Sequence, residues 1–280
     1  MQLHQLSEQI VDRKNFLCIG LDTELNKIPK HLQQQPNAVL HFNKAIIDAT
    51  KDYCVSYKIN TAFYEAMGSK GWDILEDTLH YIPNTHFTIA DAKRGDIGNT
   101  AAQYAKAFFE TLPFDAVTVA PYMGEDSIKP FLEYTHKTTI VLGLTSNKSS
   151  EDFEQLTVLS KDSHSSSSKK LYELVIEKIA SWATPNQLMF VVGATKASEM
   201  QSIRAIVPEH FFLVPGVGTQ GGSLNEVAEF GWNNQIGLLV NVSRAIIYAD
   251  ASENFQQMAA AEAAKYQSEM AEILNRKLRL

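Results

Sequence analysis

Cysteine is nearly absent from this chain. Cys18 and Cys54 are its two thiols, each inside an apolar run and with no C-x-x-C spacing. A disulfide framework is therefore excluded, and structural thiols in a reducing compartment are expected. The eight histidines include neither H-E-x-x-H nor H-x-H, so the ligand pattern gives no support for a metal. Positive charge is in deficit. The formal net charge of −7 argues against non-specific nucleic-acid binding, and a small anionic ligand would need a local cationic pocket. No stretch reaches 18 apolar residues, so no membrane span is expected. Met1 to Leu6 lacks the long apolar run of a signal peptide, and a cytoplasmic location is the expectation. Two glycosylation sequons, Asn147-Lys148-Ser149 and Asn241-Val242-Ser243, are taken as chance matches. There is no G-x-S-x-G, and no dinucleotide fingerprint opens a helix after the first strand, although spacing alone does not exclude a Ser-His-Asp triad.

What is present is an alternation. Apolar runs recur at 16–22, 53–58, 86–91, 115–119, 138–143, 188–193, 211–214 and 236–241. Between them lie stretches with helical spacing: 3–14 before the first run, then 36–51, 62–80 (weakened by Gly68 and Gly71), 98–111, 125–136, 169–182 and 196–206. A short helix follows Ser223, and a long amphipathic tail covers about 252–277. Near-continuous apolar strands imply a parallel sheet covered on both faces. Eight such units in 280 residues predict a single-domain α/β (β/α)8 TIM barrel spanning 1–280, with a doubly wound open sheet as the alternative. The serine-rich tract 163–168 is assigned to a flexible insert after the fifth strand, about 144–168.

Asp91-Ala92-Lys93-Arg94-Gly95-Asp96 closes the third strand. Alternate residues of a strand share a face, so Asp91 and Lys93 follow Phe87 and Ile89 out of the core. Asp96 then falls near the start of the next helix, where the dipole favours its charge. A solvated strand end with a chance ion pair would read the same way, and such pairs contribute roughly 0–1 kcal/mol. The neighbouring strands weigh against that bland reading. The first ends at Asp22, in phase with Cys18 and Gly20. The second ends at Lys58, in phase with Cys54 and Ser56. A barrel carries its site at this end of its strands, so successive ionisable endings there make a candidate site.

A second constellation is Pro215-Gly216-Val217-Gly218-Thr219-Gln220-Gly221-Gly222, between the seventh strand and a short helix. Glycines let backbone N–H groups approach a ligand closely. The eighth strand leads into Asn241-Val242-Ser243-Arg244. Loops after strands seven and eight are a frequent phosphate site in barrels, with Arg244 as the cationic clamp and Gln220 as a neutral donor. A glycine turn needed only for chain reversal is the alternative.

Taken together, these segments resemble orotidine 5′-phosphate decarboxylases of the longer bacterial subgroup. The likeness runs through Asp91 to Thr100, Lys58 within Ser56-Tyr57-Lys58-Ile59-Asn60, Leu144-Thr145-Ser146-Asn147, the glycine-rich turn and Ser243 to Tyr248. The resemblance implies decarboxylation of orotidine 5′-monophosphate to UMP without metal or cofactor. It implies a catalytic array of Lys58, Asp91, Lys93 and Asp96, with Lys93 protonating C6 of the pyrimidine. Asp22 would bind a ribose hydroxyl and Ser146 the pyrimidine amide edge. Gln220, Gly221, Ser243 and Arg244 would hold the phosphate. Asp96 and Thr100 would enter the site of a homodimer partner, and the segment after Ser146 would form a lid. Lys148 stands where that subgroup often has proline. The rival on the same barrel is a metal-dependent sugar-phosphate decarboxylase or aldolase, which would carry an acid at the end of strand two, where this chain has Lys58.

Overall fold

Strand follows helix through almost the whole backbone, in the alternation that the sequence predicts. The computed structural model describes residues 1–162, 165–218 and 221–278. In chain order the elements are α1 (Leu3–Arg13), β1 (Leu17–Gly20), α2 (Lys30–Gln33), α3 (Ala38–Thr50), β2 (Ser56–Asn60), α4 (Thr61–Glu65) and α5 (Ser69–Tyr81). Next come β3 (Phe87–Arg94), α6 (Gly98–Lys106), β4 (Ala116–Val119), α7 (Glu125–Leu132), β5 (Thr138–Leu144), β6 (Thr157–Asp162) and β7 (Ser165–Lys170). The chain continues through α8 (Leu171–Ala180), β8 (Leu188–Val192), α9 (Ala197–Ile206), β9 (Phe211–Pro215), α10 (Leu224–Phe230), β10 (Leu238–Val242), α11 (Arg244–Ile247) and α12 (Phe255–Leu278).

Eight parallel strands close into a barrel in the order β1-β2-β3-β4-β5-β8-β9-β10, with β10 pairing back to β1 through Leu17 and Val240. Closure excludes the open-sheet alternative and confirms the (β/α)8 fold. Strands β1, β4, β8 and β10 are buried along their whole length, which is why they read as unbroken apolar runs. Cys18 and Cys54 sit in this core, and burial pushes both thiols up to about 12, leaving them unreactive near neutral pH. The tail helix α12 packs along α3 and α11, burying Phe255, Ala259, Ala263 and Met270.

Four segments differ from expectation. The helix expected over 62–80 divides at Gly68, whose φ of +69° suits glycine. Gly71 then lets α5 close on α4, since a Cβ there would lie 1.8 Å from the Tyr64 carbonyl oxygen. The helix expected over 98–111 widens into a π-turn at Ala107–Thr111. Strand β3 runs on to Arg94 because, past a break in register after Ala90, Arg94 pairs with Val119 of β4. The polar insert after β5 forms a 3-10 turn (Lys148–Asp152) and an antiparallel hairpin, β6 with β7. Within the serine tract, Ser165–Ser168 belong to β7, and Ser163 and His164 lie outside the described residues.

The end of the barrel at which β9 and β10 begin is held by Arg204. Its guanidinium donates to the carbonyls of Val207, His210, Gly231 and Gly237 and lies 3.7 Å from the Phe212 ring centre. Burial without a carboxylate lowers its pKa to about 9. His210 beside it is 6% exposed, packs on Phe190, and among the described residues has no hydrogen-bond partner on either ring nitrogen. Burial, with Arg204 second, lowers this imidazole from 6.5 to about 4. Below about pH 6.5 the unfolded chain takes up a proton that the folded chain refuses until about pH 4, so stability falls as pH falls through that window. His210→Phe should flatten this part of the profile in urea unfolding measured between pH 7 and pH 4; an unchanged slope would show that His210 does not cause it.

Candidate active site

Parallel closure brings the C-terminal ends of all eight barrel strands to one face, and the ionisable endings meet there. Gly20 of β1 is paired with Lys58 of β2, and Asn60 of β2 with Asp91 of β3. The Lys58 ammonium donates to Asp91 Oδ2 at 2.8 Å and to Asp22 Oδ1 at 3.4 Å. Lys93 donates to the other oxygen of Asp91, Oδ1, at 2.5 Å. Burial opposes ionisation of Asp91, but Lys58 and then Lys93 outweigh it and hold the carboxyl well below the usual carboxylate range. Burial likewise favours neutral Lys58, and Asp22 and Asp91 together overcome it, raising this lysine above its ordinary value. Their exposures separate the two cations. The Lys58 side chain is 6% exposed and the Lys93 side chain 48%, so Lys93 is the ammonium that a ligand would meet.

Strict strand alternation does not place Lys93. Its φ is +46°, and the β3–β4 register shifts between Ala90 and Arg94. A bulge of this kind re-aims a side chain, and the left-handed backbone of a non-glycine residue costs about 1–2 kcal/mol. Thr118 of β4 holds the arrangement. Its hydroxyl accepts from the Lys93 N–H at 2.9 Å and donates to Asp91 Oδ1 at 3.0 Å. Sequence reasoning passed over Thr118; its signal was a hydroxyl in an otherwise apolar strand. Arg94, next along, anchors the bulge through Glu65 and through Tyr104 and Phe108, whose ring centres lie 5.2 and 5.3 Å away.

Asp22, Lys58, Asp91 and Lys93 line a cavity of about 330 Å³ together with Ser146, Gly216, Val217, Asn241, Ser243 and Arg244. Ser146 lies against the end of β8, where a Cβ on Gly193 would come within 2.7 Å of its backbone and side chain, and Thr195 donates to its carbonyl at 3.1 Å. The glycine-rich turn uses left-handed backbone at Gly216, Gly218 and Gly221, with φ of +99°, +78° and +87°. Gly221 is outside the cavity lining, and Gln220 lies outside the described residues. Asp96 is half-buried and accepts from the Ile97 N–H, Thr100 is exposed on α6, and neither lines the cavity of its own chain. Asn241, given no role in the strand-eight motif, lines the cavity, and its buried Oδ1 has no partner among the described residues.

Gly20 shows how tightly this face is built. A Cβ there would sit 1.9 Å from Ser243 Oγ, so the strand carries glycine where Ser243 folds back over it. Gly20→Ala should destabilise the protein by about 1–3 kcal/mol through overpacking. Adding Ser243→Gly should recover part of that loss in denaturant unfolding; equal destabilisation in the single and double variants would rule out this contact as the cause.

A family model for orotidine 5′-phosphate decarboxylase / HUMPS matches residues 15–258. The orotidine 5′-phosphate decarboxylase of Phocaeicola vulgatus is 54% identical over 277 residues, covering 98% of this chain and 99% of that one. That of Flavobacterium johnsoniae is 54% identical over 280 residues, covering 99% and 100%. The structure of Leishmania donovani OMP decarboxylase superposes with a TM-score of 0.81 at 34% identity, covering 97% of this chain and 100% of that one. Nearly full-length likeness in sequence and in fold places the chain in the orotidine 5′-phosphate decarboxylase / HUMPS family.

Proposed function

We propose that this protein decarboxylates orotidine 5′-monophosphate to UMP and CO2, the last step of UMP synthesis, without metal or cofactor. The observation that carries this reading is the bridged array in which one buried carboxylate, Asp91, binds both a buried ammonium, Lys58, and an exposed one, Lys93. When the C6–carboxylate bond breaks, its electron pair remains on C6 in the ring plane, where the π-system cannot delocalise it. The Lys93 ammonium stands beside that charge and gives C6 a proton; the amine left behind is reprotonated from solvent. One unit pair at about 4 Å in an effective dielectric of about 20 is worth roughly 4 kcal/mol. Enzymes must supply on the order of 8–23 kcal/mol, and the remainder comes from preorganised dipoles and from binding energy of the remote phosphate. Asp91 adds to this by repelling the substrate carboxylate in the ground state.

The other roles follow the family resemblance, and of their residues Asp22, Ser146, Ser243 and Arg244 stand on the cavity wall. Asp22 binds a ribose hydroxyl, Ser146 reads the pyrimidine amide edge, and Arg244, Ser243 and the glycine turn with Gln220 and Gly221 hold the phosphate. Asp96 and Thr100 serve the site of a homodimer partner, a reading supported by their position outside their own cavity. The metal-dependent sugar-phosphate alternative is disfavoured because the Lys58 ammonium bonds both Asp22 and Asp91, the carboxylates a divalent cation would need.

Absorbance of the pyrimidine in EDTA tests the reading: wild-type protein should convert orotidine 5′-monophosphate and Lys93→Ala should not. No turnover by folded wild-type protein would sink it. Thr118→Val should lower kcat on the order of 10- to 100-fold with little change in KM, because it removes bonds to both Lys93 and Asp91. Thr118→Ser should restore most of the rate, whereas an equal defect in both variants would deny the hydroxyl its role. Mixing inactive Lys93→Ala with inactive Asp96→Asn should regenerate activity in heterodimers, where one site recovers both groups; no recovery after subunit exchange would place Asp96 in its own chain's site.

A further inference from the structure

The end of β5 is held by a residue that belongs to the insert. The strand ends at Leu144, and the next three residues, Thr145, Ser146 and Asn147, line the cavity. Both carboxylate oxygens of Glu154 are spent on the first of them. The Thr145 N–H donates to Oε2 at 2.8 Å, and its hydroxyl donates to Oε1 at 2.8 Å. That hydroxyl is also 2.6 Å from Asn147 Oδ1. A hydroxyl has one proton, so Glu154 Oε1 and Asn147 Oδ1 compete for it, while the Thr145 N–H bond to Glu154 is unaffected.

The backbone of Glu154 has a different attachment. Its carbonyl accepts from the Tyr172 N–H at 2.9 Å, and the Leu156 carbonyl accepts from the Leu171 N–H at 2.8 Å. These two bonds close the stem of the β6–β7 hairpin just before its ladder begins at Thr157 and Lys170. Glu154 is thus joined to the cavity wall by its side chain and to the hairpin stem by its main chain. On the far side Ser146 packs closely on Gly193 at the end of β8, and Thr195 donates to its carbonyl at 3.1 Å. A shift of the hairpin stem therefore pulls on the Glu154 carboxylate, and through Thr145 it reaches the one residue clamped between the two.

We propose that Glu154 is a positioning residue that couples the hairpin to Ser146 and so sets affinity for the base half of the ligand; this rests on the reading of Ser146 as the group that meets the pyrimidine. The coupling predicts a selective defect. Ribose 5-phosphate carries the phosphate and sugar but no base, so its binding should not depend on Glu154. UMP has all three parts.

Calorimetric titration of wild type, Glu154→Ala, Glu154→Gln and Thr145→Val with UMP and with ribose 5-phosphate separates the cases. Glu154→Ala should weaken UMP on the order of 10- to 100-fold, the range for a lost hydrogen bond to a charged group, and leave ribose 5-phosphate unchanged. Glu154→Gln, which keeps one acceptor oxygen, should fall between wild type and Glu154→Ala, and Thr145→Val should weaken UMP alone. Unchanged UMP affinity in Glu154→Ala, or equal weakening of both ligands, would overturn the proposal. Wild-type protein that neither binds UMP nor converts orotidine 5′-monophosphate would overturn the underlying reading, a result distinct from normal wild-type turnover with insensitive variants.

Discussion

Everything on the open face of this barrel depends on the charge of Asp91. It is 9% exposed and accepts from three donors: Lys58, Lys93 and Thr118. A carboxylate taken this far out of water is unfavourable unless it is paired and fully bonded. Here the partners come from three different strands, so the cost of burial is met only when β2, β3 and β4 are in register. Neutralising Asp91 would leave two ammonium groups facing each other across a few ångströms. Removing one partner of a buried pair typically costs about 3–5 kcal/mol for that reason. The array is better regarded as one unit than as four residues.

The Asp91–Lys58 pair is also insensitive to pH across a wide span. Asp91 has a depressed pKa, so the stability it lends is fully present above the ordinary carboxylate value of 3.8 and is lost only as pH falls through the lowered one. Lys58 is raised, so its contribution is fully present below 10.5 and is lost only as pH rises through the elevated value. Between those limits both remain ionised. Such a pair keeps its own charges fixed while substrate charge changes, which is the condition for electrostatic preorganisation.

Much of this was legible in the letters. Strands buried on both faces announce themselves as apolar runs, and eight of them with helices between leave few architectures besides a barrel. Ionisable endings at Asp22, Lys58 and Asp91 pointed to one face because strand phase is a local property. What the letters did not carry was anything set by contact between distant elements. The bulge at Lys93 exists because Thr118, 25 residues on, holds its N–H. The break at Gly68 is local, but the need for glycine at Gly71 comes from Tyr64 across the interhelical contact. The hairpin was hidden because its serines and lysines have no strand pattern; pairing between β6 and β7 supplies the order that composition does not. Asp96 and Thr100 were read as site residues, and their own chain leaves them off the cavity wall.

The cavity wall is therefore built in two ways. On the β1–β3 side, charges are locked by bonds between core strands, and the close seating of Ser243 over Gly20 leaves no room for adjustment. On the β5–β9 side, Leu142, Val191 and Leu213 of the strands are joined by segments beyond the strand ends: Thr145 to Asn147, and Gly216 and Val217 of the glycine-rich turn. Side chains that must keep their charges aligned gain from rigid supports, because a misplacement of about 1 Å can cost on the order of 100-fold in rate. Groups that recognise the rest of a substrate gain from segments able to close around it and exclude water. Placing the two functions on opposite sides of one cavity lets the recognition side move without disturbing the field set by Asp91.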